Sequence, residues 1–340
     1  MKKLLLVALI LVVGVGMVFA GGQEEAMGGE EEQETIRLVG ATHLPADFVF
    51  YRMMEVFGEK VQEYYDGPLE IELHHSGDLG EEKDFVEFMI EGVSVDFAIA
   101  APSWAATWDQ RVSFMDPPFL FQDIEHWDRC LAEGAFDPIA EDLQEKGLRI
   151  IGYGGGGTRN LILADPIDGR EDFGDVLLRV MGSPIQANAF NAVGFKATPM
   201  NYLEVYNGIK TGVVDGLENE SASLRSMKFY EVAPNIVLTR HTVTVRPLFF
   251  SEKRFQSFPP ELQDAILRAG EEAAAWHRET EVREDAEALA EMEEQGLITT
   301  IELPPEDIAR MQADARPALE AFAEEVGAEE ILANVDALRD

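Results

Sequence analysis

The sequence is short of cysteine, of histidine and of positive charge, and each shortage excludes something. One cysteine, Cys130, stands among 340 residues, so no internal disulfide can form. It falls on an expected helix and reads as a small packed hydrophobe. The histidines are His43, His74, His75, His126, His241 and His277. No Cys/His cluster has zinc spacing, and no acidic loop has calcium spacing. His74 and His75 are adjacent on an expected strand, so their side chains point to opposite faces and make a poor chelate. Lysine and arginine number 27 against 64 aspartates and glutamates, a formal net charge of -37. Such a polyanion repels nucleic acid, which removes DNA and RNA as partners. The excess acid is expected on solvated faces and does not itself indicate a cationic substrate.

Long apolar runs are missing beyond the amino terminus. Lys2 and Lys3 precede an apolar run over 4–18, and Val18-Phe19-Ala20 supplies a cleavage site, so 1–20 reads as a signal peptide removed near Ala20. An uncleaved anchor is the alternative; Gly14, Gly16 and the shortness of the run count against it. No cysteine follows the cleavage site to take a lipid. Residues 21–34 are rich in Gly, Glu and Gln without apolar periodicity and are expected to be a disordered acidic leader. The mature protein is thus expected to be exported, periplasmic and soluble.

What remains is ample for packed cores, with a hydrophobic fraction of 46% and length enough for two domains. Strands are expected at 36–40, 69–74 and 95–100, alternating with helices at 48–65 and 81–91. A helix over 127–146 leads to a strand at 148–151. A second series follows: strands at 177–181, 196–199 and 213–217, with helices at 185–193 and 202–211. A strand at 242–250 could return to the first series, and 260–295 is nearly continuous helix, long enough to run across both domains. The alternation is that of an α/β fold with helices on the sheet faces.

The motifs are mostly negative. Gly152-Tyr153-Gly154-Gly155-Gly156-Gly157 formally fits the dinucleotide fingerprint, but 159–163 looks extended and Pro166 follows, so no helix opens there. The run is expected to be a flexible crossing between domains. No nucleophile elbow marks a hydrolase, and no cofactor is called for. Two arginines stand out instead. Arg159, in Gly157-Thr158-Arg159-Asn160, and Arg179, in Leu178-Arg179-Val180, each stand alone among apolar or small residues. A guanidinium in such a place holds a carboxylate or phosphate through paired hydrogen bonds, and that anion belongs either to the protein or to a ligand. His43 follows the first strand, where α/β sheets place ligands, and is either a ligand group or a loop histidine without a role. Trp104, Trp108, Tyr153 and Tyr202 sit near expected strand ends; with two arginines they would suit an organic acid with an apolar body.

The ordered set of pieces resembles the substrate-binding proteins of TRAP transporters, the C4-dicarboxylate-binding (DctP) type. Gly157-Thr158-Arg159 is similar to the family's first arginine site, and Leu178-Arg179-Val180 to that of the arginine that pairs with the ligand carboxylate. The segment from Thr198 to Tyr206 resembles the one whose aromatic, here Tyr202, flanks the ligand. Val214-Asp215-Gly216-Leu217-Glu218-Asn219 resembles the VDGxEN segment, whose asparagine contacts it. Gly77-Asp78-Leu79-Gly80, Pro117-Pro118-Phe119-Leu120-Phe121 and Phe229-Tyr230-Glu231-Val232 resemble the family's QLG, PFLF and YEV pieces, the first with Asp78 in place of glutamine. Gly174-Asp175-Val176-Leu177 departs from the usual Gly-Leu-Lys, though Arg179 keeps its place.

The resemblance implies a two-lobed clamshell with a long helix spanning both lobes: lobe I from 35–156 and 245–284, lobe II from 157–244 and 285–340. It implies that Arg179 pairs with a substrate carboxylate, Arg159 supplies a second donor, Asn219 orients an oxygen and Tyr202 packs on the carbon skeleton. His43, Glu82 and Trp104 complete the candidate set. Glu82 falls near a position that contacts ligand in sialic-acid-binding members, or else is a solvated helix start. Ala100-Ala101-Pro102 stands where those members carry a glutamate, which counts against sialic acid. The implied partners are a small-molecule carboxylate and TRAP membrane permease subunits driven by an ion gradient. Three alternatives stay open: an interlobe salt bridge at Arg179, a secreted hydrolase, and a ligand-sensing module for a membrane receptor.

Overall fold

The computed structural model describes residues 34–339; the expected signal peptide and almost all of the acidic leader lie outside the described residues. From Thr35 onward the chain forms one compact unit. The first half builds β1 (Ile36–Ala41), α1 (Val49–Tyr64), β2 (Leu69–His74), α2 (Glu82–Glu91) and β3 (Phe97–Ile99). Met53, Phe57 and Val61 fall one turn apart on α1 and are all buried, which is why this segment is an amphipathic helix. α2 opens on a reciprocal cap between Glu81 and Asp84 and closes at Gly92 in the left-handed region.

The chain continues through α3 (Ile124–Ala132), α4 (Asp137–Glu145), β4 (Leu148–Leu163), β5 (Leu177–Val180), α5 (Pro184–Val193) and β6 (Lys196–Pro199). It then forms α6 (Val205–Lys210), β7 (Gly216–Asn219), α7 (Ser221–Ser226) and β8 (Asn235–Ser251). The last part is α8 (Glu252–Phe255), α9 (Pro260–Glu294), β9 (Thr299–Ile301), α10 (Pro305–Val326) and α11 (Glu329–Ala337). Cys130 is buried on α3, as its helix position suggests.

The nine strands of the described residues share one sheet, in the order β2-β1-β3-β8-β4-β7-β5-β6, with β9 beside β8. Each end is parallel: β2-β1-β3 at one, β7-β5-β6 at the other. The two ends are joined by β4 and β8, long strands that pair antiparallel with each other. Alternate residues feed alternate cores. Ala98, Val237, Val245 and Phe249 belong to the cluster on one face, whereas Phe97, Ile99, Ile236, Leu248 and Phe250 belong to the cluster on the other.

The two α/β series are therefore halves of a single sheet, not separate sheets. The expected lobe boundaries fall inside continuous elements: 156/157 in β4, 244/245 in β8 and 284/285 in α9. Other expectations shift. The helix expected over 127–146 is two helices, broken where Gly134 takes φ 70° ahead of Pro138. The strand at 148–151 does not end in a loose crossing but continues through the glycine run to Leu163, paired with β8 across three register shifts. The strand expected at 213–217 begins only at Gly216, that at 242–250 begins already at Asn235, and 202–211 is a 3-10 turn followed by the short α6. α10 and α11 were not expected.

The glycines serve close backbone packing. A Cβ on Gly152 would lie 2.4 Å from the carbonyl oxygen of Gly270 on α9, and one on Gly270 would lie 2.3 Å from the carbonyl oxygen of Ile151. Helix and strand touch backbone to backbone here, which only glycine permits.

Candidate ligand-binding cavity

A cavity opens at the carboxyl ends of the parallel strands. The position follows from the topology, because the loops that leave those ends converge there. His43 follows β1, Trp104 follows β3 in a 3-10 turn, and Glu82 opens α2. From the other half, Arg179 lies on β5, Tyr202 follows β6 and Asn219 ends β7, while Arg159 comes from β4. All seven candidate residues line this one cavity. Trp108 and Tyr153 do not; Tyr153 packs edge-on against Trp127 instead.

The two arginines differ. Arg159 does not stand alone: it is clamped by Glu218, through Nε at 2.5 Å and Nη2 at 2.8 Å, and by Glu220 through Nη1 at 2.8 Å. Its Nη2 also donates to the Glu218 carbonyl oxygen. Burial alone would raise the Glu218 carboxyl, but the Arg159 charge beside it holds it down at about 2. Glu220 is likewise held low against burial by Arg246 and Arg159. Arg159 is thus neutralised by the protein, with little donor capacity left for a ligand.

Arg179 is the opposite case. It is 1% exposed, yet makes no ion pair among the described residues. Its Nε donates to the Met200 carbonyl oxygen at 2.9 Å, and its terminal nitrogens make no hydrogen bond to the described residues. Burial lowers its affinity for its own proton. The guanidinium sits 5.5 Å over the ring of Tyr202. Tyr202 in turn accepts from Asn219 Nδ2 at 2.8 Å and meets His43 edge-on at 5.4 Å.

His43 is buried, its Nδ1 lacks a partner, and burial lowers its pKa, so the ring is neutral near pH 7. Glu82 is not a solvated helix start: it is 8% exposed and accepts the Ala101 amide at 2.8 Å. Trp104 Nε1 is buried without a partner.

Four lining or adjacent groups escaped the sequence reading. Arg246, on β8, lines the cavity with its Nε unpartnered, its Nη1 on the Val245 carbonyl and its Nη2 3.6 Å from Glu220. A lone arginine in the apolar run of β8 carries the same signal as Arg179. Glu220 and Ser223 lie at the start of α7, with the Ser223 hydroxyl on Glu220 at 2.6 Å. Asp116 is buried with both oxygens unpartnered; burial, opposed chiefly by Arg246 and then Arg159, pushes its carboxyl up to about 7.

Comparison with known proteins fits this arrangement. The description of the bacterial extracellular solute-binding proteins, family 7 (DctP), matches residues 40–325. The chain belongs to this family. A solute-binding protein of Sulfitobacter sp. strain NAS-14.1 is 43% identical over 307 residues, 90% of this chain and 92% of the relative. The crystal structure of a TRAP periplasmic solute-binding protein from Sulfitobacter sp. NAS-14.1, with bound α-D-taluronate, is similar at 43% identity and a TM-score of 0.85. It is matched over 98% of its length by 90% of this chain. A second structure from that organism, with bound β-D-galacturonate, is 27% identical with a TM-score of 0.82, over 89% of this chain and 99% of its own.

As a TRAP solute-binding protein, the chain is a two-lobed receptor that captures an organic-acid carboxylate and delivers it to a membrane permease. Family membership favours neither the hydrolase nor the receptor module. The DctP proteins act outside the cytoplasm. The cavity chemistry suits capture: the Arg179 guanidinium is withheld from the protein, while Arg159 is paired with Glu218 and Glu220.

Proposed function

We propose that this protein binds a hexuronate-class sugar acid, with the solute carboxylate on Arg179, and carries it unchanged to the permease. The observation that carries the reading is the unpaired buried fork of Arg179. A buried guanidinium without a counter-ion is costly, and an anion brought from outside relieves that cost. Asn219 and Tyr202 border the same fork. Arg159, with most of its donors taken, gives at most one further hydrogen bond and serves mainly to hold Glu218 and Glu220 in place.

The sugar part rests on the remaining polar atoms. Among the buried side chains that line the cavity, Trp104 Nε1 and Arg246 Nε are donors without acceptors, and His43 Nδ1 lacks a partner. A ring hydroxyl can both donate and accept, so a sugar acid answers all of these. A plain dicarboxylate answers only the donors, and its second charge would stand near Glu82 and Glu220. The relative with bound taluronate, at 43% identity, supports the same choice.

Closure would turn on the three crossings inside β4, β8 and α9, with lobe I formed by 35–156 and 245–284 and lobe II by 157–244 and 285–340. The mature chain would begin near residue 21, after cleavage at Ala20, and work in the periplasm.

Isothermal titration of the purified mature protein with D-taluronate, D-galacturonate, D-glucuronate, succinate and N-acetylneuraminate tests the reading. At least one hexuronate is expected to bind, and to stabilise the protein by about 2.7 kcal/mol at a hundredfold excess over Kd. Binding of succinate with no response to any hexuronate would overturn it.

A further inference from the structure

Three ionisable side chains recur one turn apart on the face that α9 presents to the sheet: His277, Glu281 and Asp285, all buried. The outer two hold backbone amides, and His277 Nε2 is left buried without a partner. His277 Nδ1 accepts the Gly155 amide of β4 at 3.1 Å. Asp285 accepts the Thr158 amide at 3.2 Å and the Ala222 amide of α7 at 3.0 Å, so it ties the strand crossing to the helix that follows Asn219 and Glu220.

Glu281 stands between them and lacks such donors. Its Oε1 lies 3.0 Å from the Thr244 hydroxyl of β8, but that hydroxyl has a second acceptor at 3.0 Å, the Gly157 carbonyl, and only one hydrogen to give. Its Oε2 has no donor and lies 3.3 Å from His277 Nδ1, which the Gly155 amide fixes as an acceptor. An ionised Glu281 would therefore share one hydrogen and set lone pair against lone pair. A protonated Glu281 donates, which frees Thr244 for Gly157.

The charges around it agree. Glu220 and Asp285 face it with like sign, and Arg246, 3.6 Å from Glu220, is the counter-charge that lowers it. Arg159 is committed to Glu218 and Glu220. Arg246, and after it Arg52 and Arg278, act on His277. Burial, and then Glu220, push the Glu281 carboxyl up to about 8, and burial drives His277 down to about 3.

We propose that Glu281 is a positioning residue that works as a neutral acid: its proton holds Thr244, the glycine run of β4 and the Glu220–Arg246 pair in the arrangement that receives an anion, and its ionisation weakens binding. Losing the proton places a second carboxylate beside Glu220 and draws Arg246 away from the cavity. The neutral acid stands on this geometry alone, while the link to binding rests on the hexuronate reading above. Affinity for an anionic solute then falls as pH rises through the ionisation of Glu281.

Glu281→Gln keeps the shape and stays uncharged at every pH. In ligand-free protein, urea midpoints from pH 5 to 9 are compared between wild type and variant. The folded carboxyl ionises above its unfolded counterpart, so wild type loses stability relative to the variant as pH rises between the two values. A gap that stays constant, or that moves in favour of wild type as pH rises, would overturn the neutral acid. In the same pair, Kd for D-taluronate is expected to weaken at least threefold more in wild type than in the variant between pH 6 and pH 9. Equal pH profiles, or a variant that binds poorly at pH 6 as well, would overturn the positioning role. Calorimetry of wild type alone, in two buffers of different ionisation enthalpy, should show proton uptake on binding near pH 8; no uptake, or release, counts against it even if the variant fails to fold. If wild type ignores D-taluronate at every pH, the hexuronate reading and the link to binding fall together, and the urea midpoints still decide the charge of Glu281.

Discussion

Arg179 lies 5.5 Å over the ring of Tyr202, and among the described residues that stacking is the only side-chain partner its guanidinium has. A buried cation held by one backbone carbonyl and an aromatic face is poorly stabilised until an anion arrives.

Replacing Arg179 with alanine should thus separate stability from binding. Truncating one partner of a buried charge pair costs on the order of 2–5 kcal/mol in the complex. Kd for the preferred hexuronate should weaken by about thirtyfold or more. The ligand-free melting temperature should hold or rise, because an unpaired buried charge is removed. Arg179→Lys should not restore affinity, since an ammonium cannot reproduce the planar fork. Titration calorimetry with a loss under threefold for Arg179→Ala would exclude the carboxylate role.

Glu218 should show the reverse pattern. It neutralises Arg159 in the sheet interior, so Glu218→Gln leaves a buried guanidinium short of a charge, a loss of about 3–5 kcal/mol in stability. The pH dependence has a fixed sign. The folded carboxyl sits at about 2, below its ordinary value, so its stabilisation is complete above that ordinary value and is lost as pH falls toward 2. Acid unfolding of wild type, followed by circular dichroism, should steepen between about pH 4.5 and pH 2. In the glutamine variant this component should be missing.

The fate of these two arginines shows where sequence reading reaches and where it stops. Periodicity located α1, α2 and β2, because each carries its apolar stripe or alternation within one continuous stretch, and an unbroken Ala- and Glu-rich run located all of α9. It also showed both arginines as isolated charges. It could not show that Glu218 and Glu220, some sixty residues downstream, return beside Arg159, because β4–β7 pairing is a tertiary event. Arg246 was legible by the same rule as Arg179, since it too interrupts an apolar strand. The glycine run misled because its local signal, backbone freedom, is the same in a loose crossing and in a strand pressed against a helix. Only the partner, Gly270, distinguishes them.

Tyr202→Phe tests the support around the fork. The phenolic oxygen accepts from Asn219 Nδ2, and phenylalanine leaves that buried amide without its acceptor. A net hydrogen bond is worth about 0.5–1.5 kcal/mol, so Kd should weaken roughly two- to tenfold while the ring still packs under Arg179. Tyr202→Ala should lose considerably more, since the stacked face goes as well. Equal affinities for wild type and Tyr202→Phe would show that Asn219 is oriented by something other than this hydroxyl.

Gly270→Ala tests whether the backbone contact between α9 and β4 is what places the acidic face of the helix. On helix propensity alone the change should stabilise by up to about 1 kcal/mol. The new Cβ, however, would stand 2.3 Å from the Ile151 carbonyl oxygen, which is backbone and cannot rotate away. Overpacking of this kind costs typically about 1–3 kcal/mol, and steric exclusion outweighs propensity here. Urea unfolding should therefore show a net loss. The helix can escape only by lifting off the strand, which lengthens the His277–Gly155 and Asp285–Thr158 hydrogen bonds further along the same face. Hexuronate affinity should fall together with stability, although Gly270 is not among the cavity-lining residues. A variant as stable as wild type would mean that β4 yields at Ile151, and one that is less stable but binds normally would mean that the face is placed from its Asp285 end instead.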